Sequence, residues 1–274
     1  MIDVAVIGGG PGGISAALTL RQRGKSVTIV SSGEAESHLA KAHRVDNYPG
    51  MPEMSGTEML EQMTRQARER GVEFMRGRAT SILPMGETFG IAVGSDYLEA
   101  RAVILTTGMN LGRLYPGEAE YLGRGVSYCA TCDGMMYRGK PVAVIGLSED
   151  APEESRFLSE IGCQVEYFDR TRAKQYEIQG EQTVMALVAD GTVFPVQGVF
   201  ILRSGVAPEQ LLTGLETAGG AITVDRNMLT NVPGVFAAGD CTGAPYQIAK
   251  SVGEGNIAAL SAVKYLDQSD KRSK

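Results

Sequence analysis

The 274-residue sequence is poor in the residues that build metal sites and disulfide frameworks. Its two histidines, His38 and His43, have no Cys or carboxylate cluster at ligand spacing, which argues against a metal site. Four cysteines are too few for a disulfide scaffold in a chain of this size. Two of the four, Cys129 and Cys132, are separated by only two residues, so redox chemistry is favoured over a structural crosslink.

Basic residues are outnumbered by acidic ones, and the sequence has no long apolar segment. Lys and Arg number 26 against 32 Asp and Glu, and the net charge of -6 gives nucleic acid no general attraction. No apolar run approaches membrane-spanning length. Residues 1–3 lead directly into an apolar run, without the basic start and apolar core of a secretion signal. We therefore expect a cytoplasmic protein that binds neither nucleic acid nor membrane.

Glycine is abundant, with 35 residues or about twice its usual share, which indicates tight turns or close approach to a ligand. Residues 3–7 form an apolar run that predicts a buried strand, and the glycine-rich turn 8–13 follows it. Helical apolar spacing then extends to Gly24, and residues 27–30 predict the next strand. This order is typical of the βαβ start of a doubly wound sheet.

A second strand–turn–helix pattern comprises a strand at 141–146, a helix at 152–161 and a strand at 165–168. Two such starts predict an α/β protein with two Rossmann-like domains, each a doubly wound, three-layer fold. Glycine and proline near 112–117 and 203–208 predict the crossings between the domains. Other predicted elements are a helix at 55–70, a strand at 103–107 that ends in Gly108, a strand at 235–238 and a helix at 253–265.

The first glycine run matches the Gly-x-Gly-x-x-Gly pattern at Gly8, Gly10 and Gly13. Glycines permit a tight turn, and a pyrophosphate can then bind at the helix N-terminus, where N–H groups and the helix dipole favour negative charge. Such turns also occur for purely structural reasons, but the strand before it and the helix after it favour a dinucleotide site. The acidic residue expected after the second strand, to bind ribose, is replaced by Ser31.

The sequence Cys-Ala-Thr-Cys-Asp at 129–133 is the predicted chemical centre. Two cysteines at this spacing can close a disulfide and exchange it with a partner, provided that one thiolate is stabilised. The carboxylate of Asp133 can shuttle the protons that disulfide reduction requires. Half of a zinc site is the alternative, but no second Cys or His pair is spaced to complete it. Cys163 and Cys241 are predicted to be small buried hydrophobic residues.

Five segments, distributed along the whole chain, carry a family resemblance. They are residues 8–13, 45–50 (Val-Asp-Asn-Tyr-Pro-Gly), 125–134, 233–240 and 253–259. Through them the sequence resembles the low-molecular-weight thioredoxin reductases over essentially its full length. The resemblance implies FAD as cofactor, thioredoxin as partner and a homodimer. It also implies an FAD-binding domain at 1–109 and 205–274, with a cysteine-bearing domain inserted at 110–204.

The resemblance further assigns roles to individual residues. Cys132 would face the flavin, Cys129 would attack the disulfide of the partner, and Asp133 would be the acid/base. Asn47 could instead be a turn residue, and Asp240 a helix cap. The residues expected to bind FAD are Gly8, Gly10, Pro11, Gly12, Gly13, Ser31, Asn47, Gly108, Gly239, Asp240 and Gln247.

The second glycine motif departs from the family pattern, because residues 146–151 are Gly-Leu-Ser-Glu-Asp-Ala. Leu147 and Ser148 bring side chains to a place where a phosphate requires bare backbone. Glu149 and Asp150 add negative charge at a helix N-terminus that should receive an anion. We therefore predict that this domain does not bind NADPH.

The basic cluster that holds the 2′-phosphate in NADPH-using relatives is also reduced, to Arg170 and Arg172, which we interpret as solvated surface charge. The sequence is in these respects most similar to the ferredoxin-dependent flavin thioredoxin reductases, which lack a nicotinamide site. Ferredoxin delivers single electrons, a disulfide needs two, and a flavin can hold the first until the second arrives. Reduced ferredoxin is therefore the predicted donor.

An acidic ferredoxin needs a basic surface despite the net negative charge of the chain. Candidates are Arg65, Arg68, Arg70, Arg76 and Arg78, although solvated helix charge is the commoner explanation. Three other functions stay open: an NADPH-dependent thioredoxin reductase with an atypical site, a flavin dithiol oxidase, and a flavin-binding sensor without turnover. A ferredoxin–NADP reductase is disfavoured because it would have no use for the cysteine pair.

Overall fold

Two α/β units make up the chain, one inserted in the sequence of the other. The computed structural model describes residues 1–33, 37, 39–108, 114–128, 130–148, 151–203 and 207–272. The first unit comprises Met1–Asn110 and Ala207–Lys274, and the second comprises Leu111–Val206. The predicted domain boundaries, at 109/110 and 204/205, lie outside the described residues and stay a prediction.

The elements follow the chain in this order. The first part of the first unit contains β1 (Ile2–Ile7), α1 (Pro11–Gln22), β2 (Val27–Ser31), α2 (Gly56–Glu69), β3 (Glu73–Arg76), β4 (Ala79–Met85), β5 (Thr88–Val93) and β6 (Asp96–Leu105). The inserted unit contains β7 (Val126–Ser127), α3 (Ala130–Asp133), β8 (Pro141–Gly146), α4 (Ala151–Glu160), β9 (Gln164–Phe168), β10 (Tyr176–Gly180), β11 (Val184–Ala189), β12 (Thr192–Pro195) and β13 (Gly198–Leu202). The chain then adds α5 (Pro208–Leu211), β14 (Thr217–Ala218), β15 (Ala221–Ile222), β16 (Val235–Ala237) and α6 (Ile248–Arg272) to the first unit.

The main sheet of the first unit has the order β3-β2-β1-β6-β5-β4, with β16 also paired to β6. Strands β3, β2, β1, β6 and β16 run parallel, whereas β5 and β4 continue from β6 in antiparallel pairs. Ile7 lies opposite both Val30 and Leu105, and Leu105 lies opposite Ala237. The carboxyl ends of four parallel strands therefore meet at one edge, which is where doubly wound sheets bind their ligands.

Helices α1 and α6 pack against each other on this sheet. The buried face of α1 includes Ile14 and Leu20, and that of α6 includes Ala258, Ala262 and Leu266. Small residues let the two helices approach closely. Because Leu20 has no exposed surface, its replacement by Ala would cost about 2–5 kcal/mol of the free energy of unfolding.

Helix α2 is amphipathic and has a complete capping box at its start. Ser55 accepts a hydrogen bond from the Glu58 backbone N–H, and the Glu58 carboxylate accepts one from the Ser55 N–H. Met59, Leu60 and Met63 are buried on the face that the sequence pattern predicts. The helix predicted at 55–70 is thus confirmed.

The inserted unit has a parallel sheet of order β7-β13-β8-β9 and a separate antiparallel sheet, β10-β11-β12. Helix α4 connects β8 to β9, and the short α3 follows β7. Two apolar clusters form its core, one around Phe168 and Leu187 and one around Leu158 and Phe200. The predicted strand–turn–helix pattern of this unit is confirmed within a residue or two.

The α/β fold class with parallel sheets is confirmed, and several elements differ from the prediction. Strand β6 begins at Asp96, seven residues before the predicted start, and the short elements β3, β7, β13 to β15, α3 and α5 were not predicted. The last helix begins at Ile248 and ends at Arg272, beyond both ends of the predicted 253–265. The antiparallel strands β4, β5 and β10 to β12 were not predicted. Within the described ranges, no helix combines the length and apolarity that crossing a bilayer requires.

Candidate active site

The first glycine turn lies between the end of β1 and the start of α1, and it is closely packed. A Cβ atom on Gly8 would lie 2.1 Å from the Thr106 carbonyl oxygen, and one on Gly13 would lie 2.0 Å from the Gly8 carbonyl oxygen. Gly8 also has a φ of 121°, which side-chain-bearing residues rarely adopt. The Thr106 hydroxyl donates a hydrogen bond of 2.9 Å to the Gly8 carbonyl. Both positions therefore require glycine.

The start of α1 is, by contrast, open. Gly10 is the N-cap residue and Pro11 follows it as the first helical residue. A Cβ atom on Gly10 would meet no described atom within 4 Å. The Ser31 hydroxyl lies beside the turn, 2.8 Å from a Cβ built on Gly9. Bare backbone at a helix N-terminus, with a small hydroxyl beside it, fits a cofactor pyrophosphate.

The predicted residues at the two ends of the chain come together through Ser251 on α6. Its hydroxyl donates a hydrogen bond of 3.1 Å to an Asp240 carboxylate oxygen. The same hydroxyl would lie 3.3 Å from a Cβ on Gly239, and the Ser251 carbonyl 3.1 Å from a Cβ on Gly12. Gly12, Gly239 and Asp240 thus surround one residue that the sequence analysis did not identify.

A charged network supports the turn after β16. The Lys250 ammonium donates hydrogen bonds to the carbonyls of Gly239 and Gly243, each of 2.7 Å. Glu254 forms an ion pair of 3.2 Å with Lys250 and accepts a hydrogen bond of 2.9 Å from the Gly239 N–H. Thr242 donates to the same carboxylate. A Lys and a Glu four residues apart at the start of a helix is the sequence signal that could have indicated this network.

Asn47 and Gln247 are also brought together, because the Asn47 side-chain amide donates a 3.1 Å hydrogen bond to the Gln247 side-chain oxygen. The Gln247 carbonyl accepts a bond of 3.0 Å from the Ser251 N–H, which continues the connection to Asp240. Gly108 follows the end of β6, and no described atom lies within 4 Å of a Cβ built there. The edge of the first sheet therefore gathers these predicted FAD-binding residues.

The cysteine segment belongs to the inserted unit. Cys129 and the Cys132 side chain lie outside the described residues, and the Cys132 backbone belongs to α3. A carboxylate oxygen of Glu154 on α4 accepts a hydrogen bond of 3.2 Å from the Ala130 N–H. This contact fixes the first residue of the helix that carries Cys132.

Asp133 is half-buried and has a defined partner. The Ser127 hydroxyl donates a hydrogen bond of 2.7 Å to its carboxylate. Burial raises the pKa of Tyr137, and the nearby negative charge of Asp133 raises it further. A carboxylate that is held in place but still reached by solvent is suited to proton transfer.

Cys163 and Cys241 are both buried, as predicted. Burial raises the pKa of the Cys163 thiol, and it raises that of Cys241 to about 11. Both thiols are therefore protonated and unreactive near neutral pH. His38 lies outside the described residues; among those described, no group of three His, Cys, Asp or Glu side chains could hold a metal ion.

The second glycine turn follows β8 and, like the first, begins with a closely packed glycine. A Cβ on Gly146 would lie 2.3 Å from the Tyr167 hydroxyl oxygen, so the Tyr167 side chain covers this residue. The Leu147 carbonyl accepts a hydrogen bond of 2.5 Å from the Arg170 guanidinium. Arg170 therefore contacts the backbone of the turn itself.

Arg172 is also occupied by contacts within the inserted unit. Its guanidinium lies 4.5 Å from the centre of the Phe168 ring and forms an ion pair with Glu166. Glu149 and Asp150, which we expected to repel a phosphate, lie outside the described residues. Arg170 and Arg172 are thus both bound to protein groups.

The chain has close relatives among proteins of known sequence and structure. The family model for pyridine nucleotide-disulphide oxidoreductases matches residues 2–174 and 170–255. A thioredoxin reductase of Aquifex aeolicus is 32% identical over 98% of this chain and 94% of its own length. A ferredoxin-flavin thioredoxin reductase structure from Clostridium acetobutylicum matches with a TM-score of 0.91 and 36% identity, over 98% of both chains.

A thioredoxin reductase structure from Gloeobacter violaceus matches with a TM-score of 0.83 and 32% identity, over 97% of this chain and 95% of that one. All three relatives are more than 30% identical over nearly the full length, and the two solved structures also share the fold. The chain therefore belongs to the pyridine nucleotide-disulphide oxidoreductase family, as a homologue of the thioredoxin reductases with FAD as its cofactor.

Proposed function

We propose that this protein is a flavin-dependent thioredoxin reductase that uses Cys129 and Cys132 and takes its electrons from reduced ferredoxin. The observation that carries the proposal is the contrast between its two glycine turns. The first leaves bare backbone at Gly10 at a helix start, whereas the second has the Ser148 side chain at the equivalent position and Arg170 bonded to its Leu147 carbonyl. A cofactor pyrophosphate thus fits the first turn and not the second.

The residues of the first unit would hold FAD at the edge of the sheet. The open helix start at Gly10 and Pro11 would bind the pyrophosphate. Asn47, Asp240 and Gln247, connected through Ser251, would bind the flavin end of the cofactor. When bound, FAD supplies the electron pair that returns the cysteine disulfide to the dithiol.

The cysteine pair would reduce the partner by thiol–disulfide exchange. The Cys129 thiolate attacks one sulfur of the thioredoxin disulfide, forms a mixed disulfide and releases the other sulfur as a thiolate. The Cys132 thiolate then attacks the Cys129 sulfur, which closes the enzyme disulfide and releases the second thiolate. Two electrons pass to thioredoxin, and Asp133 supplies a proton to a departing thiolate. The Ser127 hydroxyl keeps the Asp133 carboxylate in place for this transfer.

Three features of the inserted unit support a donor other than NADPH. Leu147 and Ser148 bring side chains to the turn, Arg170 binds the Leu147 carbonyl, and Arg172 is paired with Glu166. A 2′-phosphate would have to displace these contacts. The similarity to the ferredoxin-flavin thioredoxin reductase of Clostridium acetobutylicum supports the same donor.

The surface for an acidic ferredoxin is best sought at the C-terminal ends of α1 and α2. The Arg21 guanidinium donates a hydrogen bond of 3.4 Å to the Arg70 carbonyl, so these two ends are neighbours. Arg23 and Arg68 are exposed at the same ends. Arg65, in contrast, shares a groove with several acidic residues, which makes it a weaker candidate. The acidic residues of this groove are Glu53, Glu58 and Glu61.

One anaerobic experiment separates the candidate functions. The flavin of the purified protein is titrated with NADPH, NADH or chemically reduced ferredoxin, and the dithiol formed on added thioredoxin is counted. We expect flavin bleaching and dithiol with ferredoxin alone, and no dithiol with Cys129→Ser. Bleaching by micromolar NADPH would instead support the NADPH-dependent reductase. Oxygen uptake with a dithiol substrate would support the dithiol oxidase.

Assembly and location are part of the same proposal. We infer a homodimer in the cytoplasm, where a reducing environment suits a thioredoxin reductase. Light scattering at micromolar concentration should give twice the chain mass. A monomer at that concentration, or recovery outside the cytoplasmic fraction of cells, would contradict this part of the proposal.

A further inference from the structure

Glu118 of the inserted unit is a fully buried carboxylate, with 0% of its surface exposed. It accepts hydrogen bonds of 2.8 Å from the Tyr115 N–H, of 3.0 Å from the Tyr128 hydroxyl and of 2.8 Å from the Arg203 guanidinium. A second guanidinium nitrogen of Arg203 bonds the other carboxylate oxygen, so the ion pair is bidentate. The site proposed above uses neither charged residue.

A buried ion pair is poor evidence for stability, because removing two charges from water offsets most of their attraction. Burial lowers the pKa of Arg203, but the hydrogen bond and charge of Glu118 more than offset this, so its pKa is raised overall. Arg203 also lies 5.1 Å from the centre of the Tyr115 ring. Both carboxylate oxygens of Glu118 are thus hydrogen-bonded, and the groups that they bond are held in fixed positions.

The three residues that contact Glu118 come from different parts of the inserted unit's sequence. Tyr115 follows the passage of the chain into the inserted unit, and Arg203 precedes the passage back to the first unit. Tyr128 immediately precedes Cys129 and follows Ser127, whose hydroxyl bonds Asp133. One carboxylate therefore connects Tyr115 and Arg203, near the two passages in sequence, with the residue before Cys129.

We propose that Glu118 and Arg203 are positioning residues of the disulfide-reducing site. They hold the Tyr128 hydroxyl, and through it they fix the backbone between the Ser127–Asp133 hydrogen bond and Cys129. This inference rests on the proposed function and extends it, because it assigns the orientation of the attacking cysteine to a buried ion pair.

The test removes one hydroxyl and leaves the ion pair intact. Tyr128→Phe deletes the hydrogen bond to Glu118 and keeps the ring. The matched control is Tyr121→Phe, because the Tyr121 hydroxyl donates a comparable bond of 2.7 Å to the Gly180 carbonyl in the same unit. Both variants are assayed with thioredoxin and with an aromatic disulfide, dithiobis(nitrobenzoic acid), which needs no protein docking.

We expect Tyr128→Phe to lower kcat about 10-fold with both substrates, since misplaced reacting groups lose rate, and to leave KM and bound flavin unchanged. Tyr121→Phe should keep the wild-type kcat. The rate of Cys129 alkylation by iodoacetamide against pH should differ from wild type in Tyr128→Phe alone. Wild-type kcat and alkylation profile in Tyr128→Phe would overturn the inference and leave the proposed function standing. A wild-type enzyme that reduces neither disulfide would overturn both.

Discussion

The side-chain amide of Asn47 donates a hydrogen bond of 3.1 Å to the side-chain oxygen of Gln247, although the two residues are 200 positions apart. Both side chains are exposed at the edge of the first sheet. Their contact depends on α6, because the Gln247 carbonyl is bonded by the Ser251 N–H on that helix. The proposed FAD site is thus assembled from distant parts of the chain, and its parts can be tested separately.

Gly13→Ala should strongly destabilise the first unit, and Gly10→Ala should not. The new Cβ would meet a backbone oxygen at 2.0 Å in the first case and no described atom within 4 Å in the second. We expect a loss of at least about 3 kcal/mol in the free energy of unfolding for Gly13→Ala and of only about 0.5 kcal/mol for Gly10→Ala. Denaturant unfolding measures both.

Gly10→Ala should still weaken FAD binding, because a methyl group would stand where a pyrophosphate approaches the helix start. Recovery of flavin fluorescence on dilution measures the release of FAD. If Gly10→Ala retains FAD as firmly as the wild-type protein, the pyrophosphate does not lie at this turn.

Asp133→Asn should lower the rate of disulfide reduction about 100-fold, since the amide keeps an acceptor for Ser127 but carries no transferable proton. Steady-state formation of thioredoxin dithiol is the measurement. Asp169→Asn is a suitable control, because Asp169 makes its hydrogen bonds to Thr171 and Arg172, away from the cysteine segment in the sequence. Equal rates in both variants would remove Asp133 from the mechanism.

Stability should fall as the pH rises from about 9 to about 11, because burial raises the pKa of the Cys241 thiol from 9.0 to about 11. In this window the unfolded thiol loses its proton while the folded thiol keeps it, so ionisation favours the unfolded chain. The loss amounts to about 3 kcal/mol at full extent. Urea unfolding of wild type and Cys241→Ala across this range measures it.

Cys241→Ala should have lower stability near neutral pH and a shallower decline above pH 9. Below pH 8 the stability of the two proteins should depend on pH in the same way, because the Cys241 thiol is protonated there in both the folded and the unfolded chain. An unchanged decline in the variant would assign the alkaline loss to other groups.

The double variant Arg68→Glu, Arg70→Glu should raise the KM for ferredoxin roughly 3- to 10-fold at low ionic strength. Surface charge mainly affects the rate at which the two proteins associate. Arg226→Glu, a charge reversal at another exposed arginine of the first unit, should have little effect. The electron-transfer rate against ferredoxin concentration and added salt provides the test. Similar KM values in the two proteins would argue against docking at the ends of α1 and α2.

Local patterns in the sequence predict those parts of the fold that local physics determines. The glycine turn at residues 8–13 is recognisable because backbone geometry requires specific residues there. The same holds for the amphipathic α2, whose capping box and apolar spacing both lie within a few residues. The cysteine pair is recognisable because its chemistry needs a fixed spacing.

The parts that could not be predicted depend on contacts between distant positions. Glu118 and Arg203 are 85 positions apart, and nothing in the neighbouring sequence of either residue indicates its partner. Ser251 is an ordinary helix residue in sequence, and only the folded sheet brings it to Gly12 and Asp240. The antiparallel strands beside β6 alternate too weakly to be told from loops, because their burial depends on tertiary packing.

The packing of α1 against α6 also determines when the first unit can complete its folding during synthesis of the chain. A Cβ on Gly255 would lie 2.1 Å from the Gly12 carbonyl oxygen, so the two helices are in direct backbone contact. A nascent chain on the ribosome cannot form that contact until α6 has emerged, and the whole inserted unit emerges earlier. The cysteine-bearing unit is therefore available to fold first, and FAD can be captured firmly only after translation has passed α6.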